Sequence, residues 1–253
     1  VLISDWAAIE EMIYHGYCAD KEEAAIRAVK AGVDIDMMAG IYSDNLCRLV
    51  KEGTISEELI DECCMRILEL KNKLGLFEHP YKDADEEKEK QVILCEEHRR
   101  LARETARKSF VLLKNEEQIL PLKKTEKTAY IGPYVNTRNL MGSWSIIGEV
   151  KDVKTIREVL KQENLAENVV FAQGSPMLGA DVVLEGFTEG TQESSCTPQE
   201  EAQMLEEAVK AAAGAKKVVL CIGEDRLQSG EATSNANIQI PEIQQKLLDR
   251  VAE

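Results

Sequence analysis

The sequence has 253 residues, of which 30% are charged, and a formal net charge of −15 at pH 7. This length fits one large domain or two of medium size, with a composition ordinary for a globular protein. An acidic chain lacks the basic patches that nucleic-acid backbones require, so we expect no nucleic-acid partner. No apolar run approaches the roughly 18 residues of a membrane span, so we expect no membrane insertion. The sequence contains no signal-peptide pattern, and the expected location is the cytoplasm.

The seven cysteines form no recognisable framework. No two are spaced as C-x-x-C, so neither a zinc ribbon nor a dithiol site is indicated. Cys63 and Cys64 are adjacent on a predicted helix, where side chains point about 100° apart and cannot readily share one metal ion. We therefore expect reduced, partly buried thiols.

The first 80 residues alternate between predicted strands and helices. Apolar stretches predict strands, and helical spacing predicts helices. The strands are VLIS (1–4) and VDIDMM (33–38), and the helices are KEEAAIRAVKAG (21–32), NLCRLVKEGTI (45–55) and EELIDECCMRILELKNKLG (57–75). Gly32 and Gly75 stand where glycine commonly ends a helix. Thr54 lies three residues before Glu57, which is the spacing of a capping box.

Strands that alternate with helices form a parallel sheet, and either a barrel or a doubly wound sheet fits this region. A complete eightfold barrel needs roughly 200 residues or more. If the fold is a barrel, the chain is expected to hold only the end of one. The polar, acidic stretch FEHPYKDADEEKEK (77–90) then predicts an exposed linker. A long helix follows in EEHRRLARETARKSFVLLKN (96–115), whose last residues are extended.

Strands and helices alternate again in the second half of the chain. The predicted strands lie in TAYIGPYV (128–135), where the strand ends at Gly132 and Pro133, in NVVFAQG (168–174) and in AKKVVLCIG (215–223). Helices are predicted at VKTIREVLKQEN (153–164) and IPEIQQKLLDRVAE (240–253). A further helix runs to about Ala213, with Thr197 as its N-cap, Pro198 as its first residue and Glu200 completing a capping box. This pattern predicts a three-layer α/β sandwich.

Asp5 and Trp6 directly follow the first predicted strand. In barrels of alternating strand and helix, reactive side chains sit at the carboxyl ends of the strands, which is where Asp5 falls. An aspartate after a strand also fits a helix cap or a turn residue. Trp6 likewise fits either the core or a platform for a ligand, and the residues alone leave these alternatives open.

Several colinear segments resemble glycoside hydrolase family 3, and within it the bacterial β-glucosidase branch. The opening VLISDWAAIEEMIYHGYCADKEEAAIRAVKAGVDIDM contains a Ser-Asp-Trp triplet at a strand end, as in that family. Similarity continues through LVKEGTISEELIDECCMRILELKNKLGLFEHPY, ARETARKSFVLLKNEEQILPL, IGPYV, MGSW and GEDRLQSGEATSNANIQIPEIQQKLL. The resemblance therefore covers nearly the whole chain.

The resemblance implies a retaining β-glycosidase in which Asp5 is the nucleophile. Retention needs two carboxyl groups about 5 to 5.5 Å apart. In this branch the acid/base comes from a loop of the sandwich domain that reaches over the barrel, here GEDRLQSGEATSN (223–235). Glu231 is the favoured acid/base and Glu224 the alternative. Trp6 is expected to line the sugar subsite, and Asn235 stands where the branch often carries an arginine.

The implied fold class is α/β: the C-terminal portion of a TIM-type barrel followed by an incomplete three-layer α/β sandwich. Residues 1–80 would form the barrel portion, 81–110 a linker and connecting helix, and 111–253 the sandwich domain. We expect such a fragment to be inactive by itself, and its exposed strand edges would allow two copies to pair as a homodimer. The implied substrate is a terminal non-reducing β-D-glucoside or small oligosaccharide, hydrolysed without a metal or an organic cofactor.

Three other hypotheses remain. The substrate could be another β-glycoside, either a xyloside or an N-acetylglucosaminide; the branch acting on the latter uses a His and an Asp on the barrel, and His15 better fits a structural or subsite-rim residue. The chain could instead be a non-catalytic carbohydrate-binding or interaction module that uses loop 223–235. A nucleotide-binding doubly wound domain is disfavoured, because the glycines in IGPY and CIGED form no G-x-G-x-x-G motif.

Overall fold

The computed structural model describes the chain except for positions 143, 146–147, 180–181, 187–189, 194–195, 229 and 232. The chain divides into two compact units, Val1–Val111 and Leu112–Glu253. The first unit contains helices and one short parallel contact between extended segments, and the second contains a three-stranded parallel sheet. The chain is therefore an α/β protein with a small parallel sheet.

The first unit contains the three helices predicted before residue 80, together with three others. They are α1 Ala8–Tyr14, α2 Lys21–Lys30, α3 Ile41–Lys51, α4 Glu57–Lys73, α5 Glu86–Val92 and α6 Glu96–Ser109. The Asp20 carboxylate caps α2 by accepting a hydrogen bond from the Glu23 N–H at 2.9 Å. Gly32 follows α2 with a φ of +89°, a conformation that glycine adopts without strain. This helix therefore ends where its sequence predicts.

The predicted capping box at the start of α4 is wrong. The N-cap is Ser56, whose hydroxyl accepts from the Leu59 N–H at 3.4 Å. Thr54 cannot take that place, because its own N–H donates to the Leu49 carbonyl at 2.9 Å and closes the end of α3. Ile55, between the two helices, is buried and fixes the connection.

The two strands predicted in this unit are present only as one parallel bridge, between Ile3 and Ile35. The Asp34 N–H donates to the Leu2 carbonyl at 2.8 Å, and the Ser4 N–H donates to the Ile35 carbonyl at 2.9 Å. The segments therefore run parallel, as an alternation of strand and helix requires. A regular ladder needs longer pairing with neighbouring strands, and the bridge does not extend into one.

Asp34 holds the register of this contact from inside the unit. Its Oδ2 accepts from the Leu2 N–H and its Oδ1 from the Arg66 Nε of α4, each at 2.8 Å. The Asp34 side chain is only 1% exposed. Burial opposes its ionisation, but the hydrogen bonds with Leu2, Arg66 and Cys63 and the charge of Arg66 together outweigh burial and lower the pKa of this carboxyl.

The core of the first unit lies between α1, α2, α3 and α4. Its fully or nearly fully buried members are Ile9, Cys18, Ala24, Ala25, Ala28, Val29, Ile41, Leu49, Ile55 and Cys63. Burying one large aliphatic side chain stabilises a fold by about 1.5 to 3 kcal/mol. Cys63 faces this core whereas Cys64 is exposed, and all seven cysteines are free thiols.

The region expected to be a linker contains α5 in addition to the connecting helix α6. Neither helix buries a side chain. The Asp85 carboxylate caps α5 by accepting from the Glu87 and Lys88 N–H groups, each at 3.0 Å. After α6 the backbone becomes extended at Phe110, as its sequence predicts. None of the helices in the described part of the chain is long and apolar enough to span a membrane.

The second unit is built on a parallel sheet with strand order β2–β1–β5. Its strands are β1 Thr128–Ile131, β2 Val169–Ala172 and β5 Lys217–Leu220. Thr128 aligns with Val169 on one side and with Lys217 on the other. All three predicted strands are thus confirmed, and their carboxyl ends lie at one edge of the sheet.

Among the residues that the structure describes in this unit, α-helices accompany this sheet. They are α7 Ile156–Gln162, α8 Pro198–Ala213 and α9 Glu242–Ala252. The predicted capping box of α8 is confirmed: Thr197 and Glu200 bond each other's backbone N–H, and Pro198 opens the helix. Ala208 of α8 and Leu247 of α9 form a core with Ala129 and Ile131 of β1.

Gly132 ends β1 at a close approach between two strands. A Cβ at this position would lie 2.3 Å from the carbonyl oxygen of Cys221, and φ is +129°. The Cys221 N–H meanwhile donates to the Ile131 carbonyl at 2.7 Å. Only glycine fits, and its absent side chain allows the loops after β1 and β5 to run side by side.

A two-stranded antiparallel sheet in this unit was not predicted. It pairs β3 Val183–Gly186 with β4 Gly190–Glu193. The sequence GTQE of β4 is polar, so it carries no alternation of apolar residues that would indicate a strand. The expected polar stretch around 187–201 lies partly outside the described residues.

We predict that Asp34→Asn lowers the free energy of unfolding at neutral pH by about 2 kcal/mol, because it removes charge-assisted hydrogen bonds from a buried site. The figure is below that of a fully buried ion pair, since the Arg66 side chain is 39% exposed. The folded-state pKa of Asp34 is lowered, so the stabilisation is complete above the unfolded pKa of about 4 and is lost as the pH falls through the folded pKa.

Urea denaturation of the intact protein at neutral pH and at about pH 3 measures this difference, which should shrink in acid. Asp61→Asn, on the exposed face of α4, is the matched control. Equal stability of the Asp34→Asn variant and the unmodified protein at neutral pH would contradict the structural role given to Asp34.

Candidate active site

Ser4 and Asp5 lie where the first extended segment ends. The Ser4 hydroxyl accepts from the Met37 N–H at 2.8 Å. The Ala7 N–H donates to the Met37 carbonyl at 2.9 Å, and the Ser4 N–H bonds Ile35 as already described. These bonds on both sides of Asp5 fix it at the carboxyl end of the parallel pair. Reactive groups of barrel enzymes are placed at that end of the strands.

The Asp5 carboxylate is exposed, and its Oδ1 accepts from the Trp6 N–H at 2.7 Å. It does not cap α1, because the N-cap of that helix is Ala7, which forms no side-chain cap. Ala7 adopts a left-handed conformation with φ +54°, which costs a non-glycine residue about 1 to 2 kcal/mol. The geometry thus excludes the helix-cap alternative and leaves the carboxylate at the end of the strand segment.

Trp6 is 60% exposed and therefore does not belong to the core of its unit. Met38, at the end of the neighbouring segment, is also exposed and has a left-handed backbone with φ +73°. An exposed indole offers a flat apolar face of the kind on which sugar rings stack. The role of Trp6 as a sugar platform remains a prediction.

Asp36 is a second carboxylate near this edge, and no sequence motif marks it. Its Oδ2 accepts from the Tyr42 N–H at 3.1 Å, in the first turn of α3. The Tyr42 hydroxyl donates to the Val33 carbonyl at 2.8 Å. Asp36 therefore stabilises the start of α3, whereas the Asp5 carboxylate does not cap a helix.

The second unit carries the candidate loop, residues 223–235, between β5 and α9. Positions 229 and 232 of this loop lie outside the described residues. The base of the loop is anchored, since the Tyr134 hydroxyl donates to the Glu224 carbonyl. The Asp225 carboxylate accepts from the Leu227 N–H at 2.9 Å, and both side chains are buried. Tyr134 precedes the loop by some distance in sequence, and no motif predicted its contribution.

The two candidate acids occupy different settings. Glu224 Oε1 accepts from Asn235 Nδ2 at 2.8 Å, a bond that joins the two ends of the loop. Glu231 is exposed, beside a turn in which the Thr233 hydroxyl donates to the Gly230 carbonyl at 2.7 Å. Both glutamates are exposed, but Glu224 is engaged in closing the loop through its bond with Asn235.

Asn235 occupies the position where an arginine was expected. Besides donating to Glu224, it accepts from the Asn237 N–H through Oδ1 at 3.2 Å. Both ends of its amide are used to shape the loop. The amide therefore provides hydrogen bonds at this place but no positive charge.

An open cleft of about 450 Å³ adjoins the loop within the second unit. Its walls include Tyr134, Leu140, Trp144, Glu224, Arg226 and Gly230. Trp144 is 55% exposed, so an aromatic face is available beside the candidate loop. A cleft with aromatic side chains and a few polar groups in its walls suits a small polar ligand.

Arg138 joins the residues before and after Trp144 by hydrogen bonds. This guanidinium forms an ion pair with Glu158 and donates to the carbonyls of Lys151 and Val153. The Thr155 N–H and the Arg138 charge together hold the pKa of Glu158 below its usual value, although partial burial opposes them. The cleft wall is therefore fixed by a charged side chain outside the cleft.

Within the described residues, no group of three or more His, Cys, Asp or Glu side chains could hold a metal ion. The expectation that catalysis needs no cofactor remains a prediction from the chemistry. His15 directly follows α1 and is exposed to solvent.

Two family models match the chain. The model described as "Glycosyl hydrolase family 3 N terminal domain" matches residues 1–70, and the one described as "Glycosyl hydrolase family 3 C-terminal domain" matches residues 110–253. Together they contain Asp5, Trp6, Glu224 and Glu231.

Two known glycosidases are similar to this chain along nearly its whole length. The periplasmic β-glucosidase of Salmonella typhimurium is 34% identical over 98% of this chain and 33% of its own length. Probable β-D-xylosidase 6 of Arabidopsis thaliana is 29% identical over 99% of this chain and 29% of its own. The chain thus spans about a third of the length of the relatives it matches.

The fold is also similar to a solved structure. The β-glucosidase from Listeria innocua in complex with isofagomine superposes with a TM-score of 0.81 and 35% identity, over 99% of this chain and 32% of that one. Other structures of that enzyme contain glucose or laminaribiose. The expected cytoplasmic location is wrong by these comparisons, because the Salmonella relative is a periplasmic protein.

Proposed function

The chain belongs to glycosyl hydrolase family 3, and from that premise we propose that the intact protein containing it is a retaining β-glycosidase. The proposed substrates are terminal non-reducing β-D-glucosides. One observation carries this proposal: Asp5, free of any capping role, stands at the end of a parallel strand segment in a chain similar throughout to β-glucosidases.

The proposed reaction is a double displacement. The Asp5 carboxylate attacks the anomeric carbon while the acid/base protonates the departing glycosidic oxygen, which yields a covalent glycosyl-enzyme and a free alcohol. The same acid/base then takes a proton from water, which hydrolyses the ester to Asp5 and releases the sugar with its β configuration. The flat indole of Trp6 would stack on the bound sugar.

We assign the acid/base to Glu231 rather than Glu224. A general acid must reach the glycosidic oxygen, and it must carry a proton before the first step. The exposed position of Glu231 near the loop tip gives it this freedom, and a bound sugar would exclude water and favour its protonated form. Glu224 is engaged with Asn235 at 2.8 Å, which suits a structural acid.

The finer architecture is part of the same proposal. We propose that residues 1–80 supply the last strands and helices of a (β/α)8-type barrel, that 81–110 connect the domains, and that 111–253 begin a three-layer α/β sandwich. The parallel bridge between Ile3 and Ile35 supports the first assignment. The parallel sheet β2–β1–β5, with α8 packed against it, supports the last.

A β-xyloside is the second candidate substrate. Its support is the similarity to probable β-D-xylosidase 6 of Arabidopsis thaliana, although at 29% identity this is lower than the 34% to the Salmonella β-glucosidase. Both sugars would use the same two carboxylates, since xylose differs from glucose only in lacking the hydroxymethyl group. The ratio of kcat/KM for p-nitrophenyl β-glucoside to that for p-nitrophenyl β-xyloside decides between the two substrates.

We predict that a 2-deoxy-2-fluoro-β-glucoside with a good leaving group labels Asp5 in the intact protein. The fluorine slows both steps, and the leaving group restores the first, so the glycosyl-enzyme accumulates. Intact mass followed by peptide mapping locates the adduct. Asp5→Asn should abolish labelling and lower kcat/KM on the order of a thousandfold or more, because the covalent route is lost.

Asp20→Asn provides the control, since Asp20 is an exposed aspartate that caps α2 in the same unit. This variant should retain the label on the peptide that contains Asp5. A label on another carboxylate, with Asp5→Asn still reactive, would overturn the assignment of the nucleophile.

We predict that Glu231→Ala and Glu224→Gln differ in their dependence on the leaving group. Without a general acid, kcat/KM should fall by about 10² to 10⁴ for methyl β-glucoside, whose leaving group needs protonation. It should change little for 2,4-dinitrophenyl β-glucoside, whose leaving group does not. Azide should accelerate turnover of Glu231→Ala on the activated substrate and yield a β-glucosyl azide.

Glu224→Gln keeps an oxygen that can accept the hydrogen bond from Asn235, so it serves as the matched control. Its effect should be smaller and equal on the two substrates. The reverse pattern, with azide rescue only in the Glu224 variant, would transfer the acid/base role to Glu224.

A further inference from the structure

Gln244 is a polar side chain that is completely buried in the second unit. It lies in the first turn of α9, near the carboxyl edge of the parallel sheet. Glutamine is a residue type that is mostly exposed in folded proteins. A buried side-chain amide destabilises a fold unless its polar atoms are paired, so its partners indicate its role.

The Gln244 amide forms three hydrogen bonds, all to backbone groups. Its Oε1 accepts from the Gly223 N–H at 2.8 Å, and its Nε2 donates to the Gly223 carbonyl at 2.9 Å. The second N–H of Nε2 donates a hydrogen bond to the Met177 carbonyl at 2.8 Å. Both donors are used, and the arrangement of one N–H and two carbonyls fixes which end of the amide is nitrogen.

These partners belong to different loops of the sheet. Gly223 follows β5 and Met177 follows β2, and those two strands flank β1 on opposite sides. Gln244 therefore joins the loops that leave the carboxyl ends of both outer strands. Gln244 pairs with both the N–H and the C=O of Gly223. A neighbouring strand would form the same two backbone hydrogen bonds, so the side chain takes the place of a strand partner beyond the end of β5.

Gly223 is the residue immediately before Glu224, where the candidate acid/base loop begins. The next backbone carbonyl, that of Glu224, is held by the Tyr134 hydroxyl. The loop therefore departs from two consecutive fixed residues, while Glu231 near its tip is exposed. These anchors fix the direction in which the loop leaves the sheet.

We propose that Gln244 is a positioning residue for the acid/base: its buried amide fixes Gly223 and so sets where Glu231 is presented to the glycosidic oxygen. This inference rests on the proposed function of Glu231. Displacement of a catalytic group by about 1 Å can cost on the order of a hundredfold in rate. The loss should fall on the step that needs proton donation.

The test compares Gln244→Leu with the unmodified intact protein on two substrates. Leucine keeps much of the side-chain volume but forms none of the three hydrogen bonds. For methyl β-glucoside, kcat/KM should fall by about tenfold to a hundredfold more than for 2,4-dinitrophenyl β-glucoside. Loss of folded protein alone would lower both values by the same factor, so equal losses on the two substrates would overturn the inference.

Gln245→Leu is the matched control. Gln245 is the next residue of α9, is exposed, and donates to Asp249 on its own helix. This variant should leave both kcat/KM values unchanged. If Gln244→Leu does not fold, Gln244→Glu is examined in the same way, since its carboxylate still accepts from the Gly223 N–H while both donors are lost.

Hydrogen exchange on the unmodified protein covers the case in which neither variant folds. The Gly223 amide should exchange much more slowly than the amide of exposed Ser234 in the same loop. Equally fast exchange of the two amides would overturn the inference, because the hydrogen bond between the Gly223 N–H and Gln244 would then be absent in solution.

Glu231→Ala on the same two substrates separates this inference from the proposed function. If Glu231→Ala shows the selective loss and Gln244→Leu does not, only the positioning role fails. If Glu231→Ala shows no selective loss, the acid/base assignment itself fails, and the positioning role fails with it.

Discussion

Parallel strands place their carboxyl ends at one edge, and each candidate catalytic residue follows such a strand or segment. In the first unit this edge is defined by a short contact around Ile3 and Ile35. The buried Asp34 makes that contact specific, because its carboxylate binds the backbone of the first segment and Arg66 of α4 together. A slip of one residue would turn Asp5 to the opposite face and leave a buried charge unpaired.

In the second unit, the candidate loop 223–235 likewise follows the carboxyl end of a parallel strand. Its sheet brings the ends of β1, β2 and β5 together, and Gly132 lets two of them approach closely. From this rigid edge the loop starts at Gly223, held by Gln244, and continues through Glu224, held by Tyr134 and Asn235. A fixed base with an exposed Glu231 fits the proposal in which Glu224 shapes the loop and Glu231 is the acid/base.

Local signals in the sequence predicted local structure well. The capping box of Thr197 and Glu200 was correct because all its bonds lie within four residues. The one proposed for Thr54 failed because that backbone closes the preceding helix. Strand pairing and the contacts of Gln244 and Tyr134 join residues far apart in sequence, so no local pattern indicates them. The role proposed for Asp5 likewise came from the family resemblance, because an aspartate after a strand alone also fits a cap.

The configuration of the first-formed sugar is the most direct test of double displacement at Asp5. Proton NMR of the intact protein with an aryl β-glucoside resolves the anomeric signals before mutarotation mixes them. Two inversions predict that β-glucose appears first and that the α anomer grows in only later. Initial release of α-glucose would mean a single displacement by water, and would contradict a covalent role for Asp5.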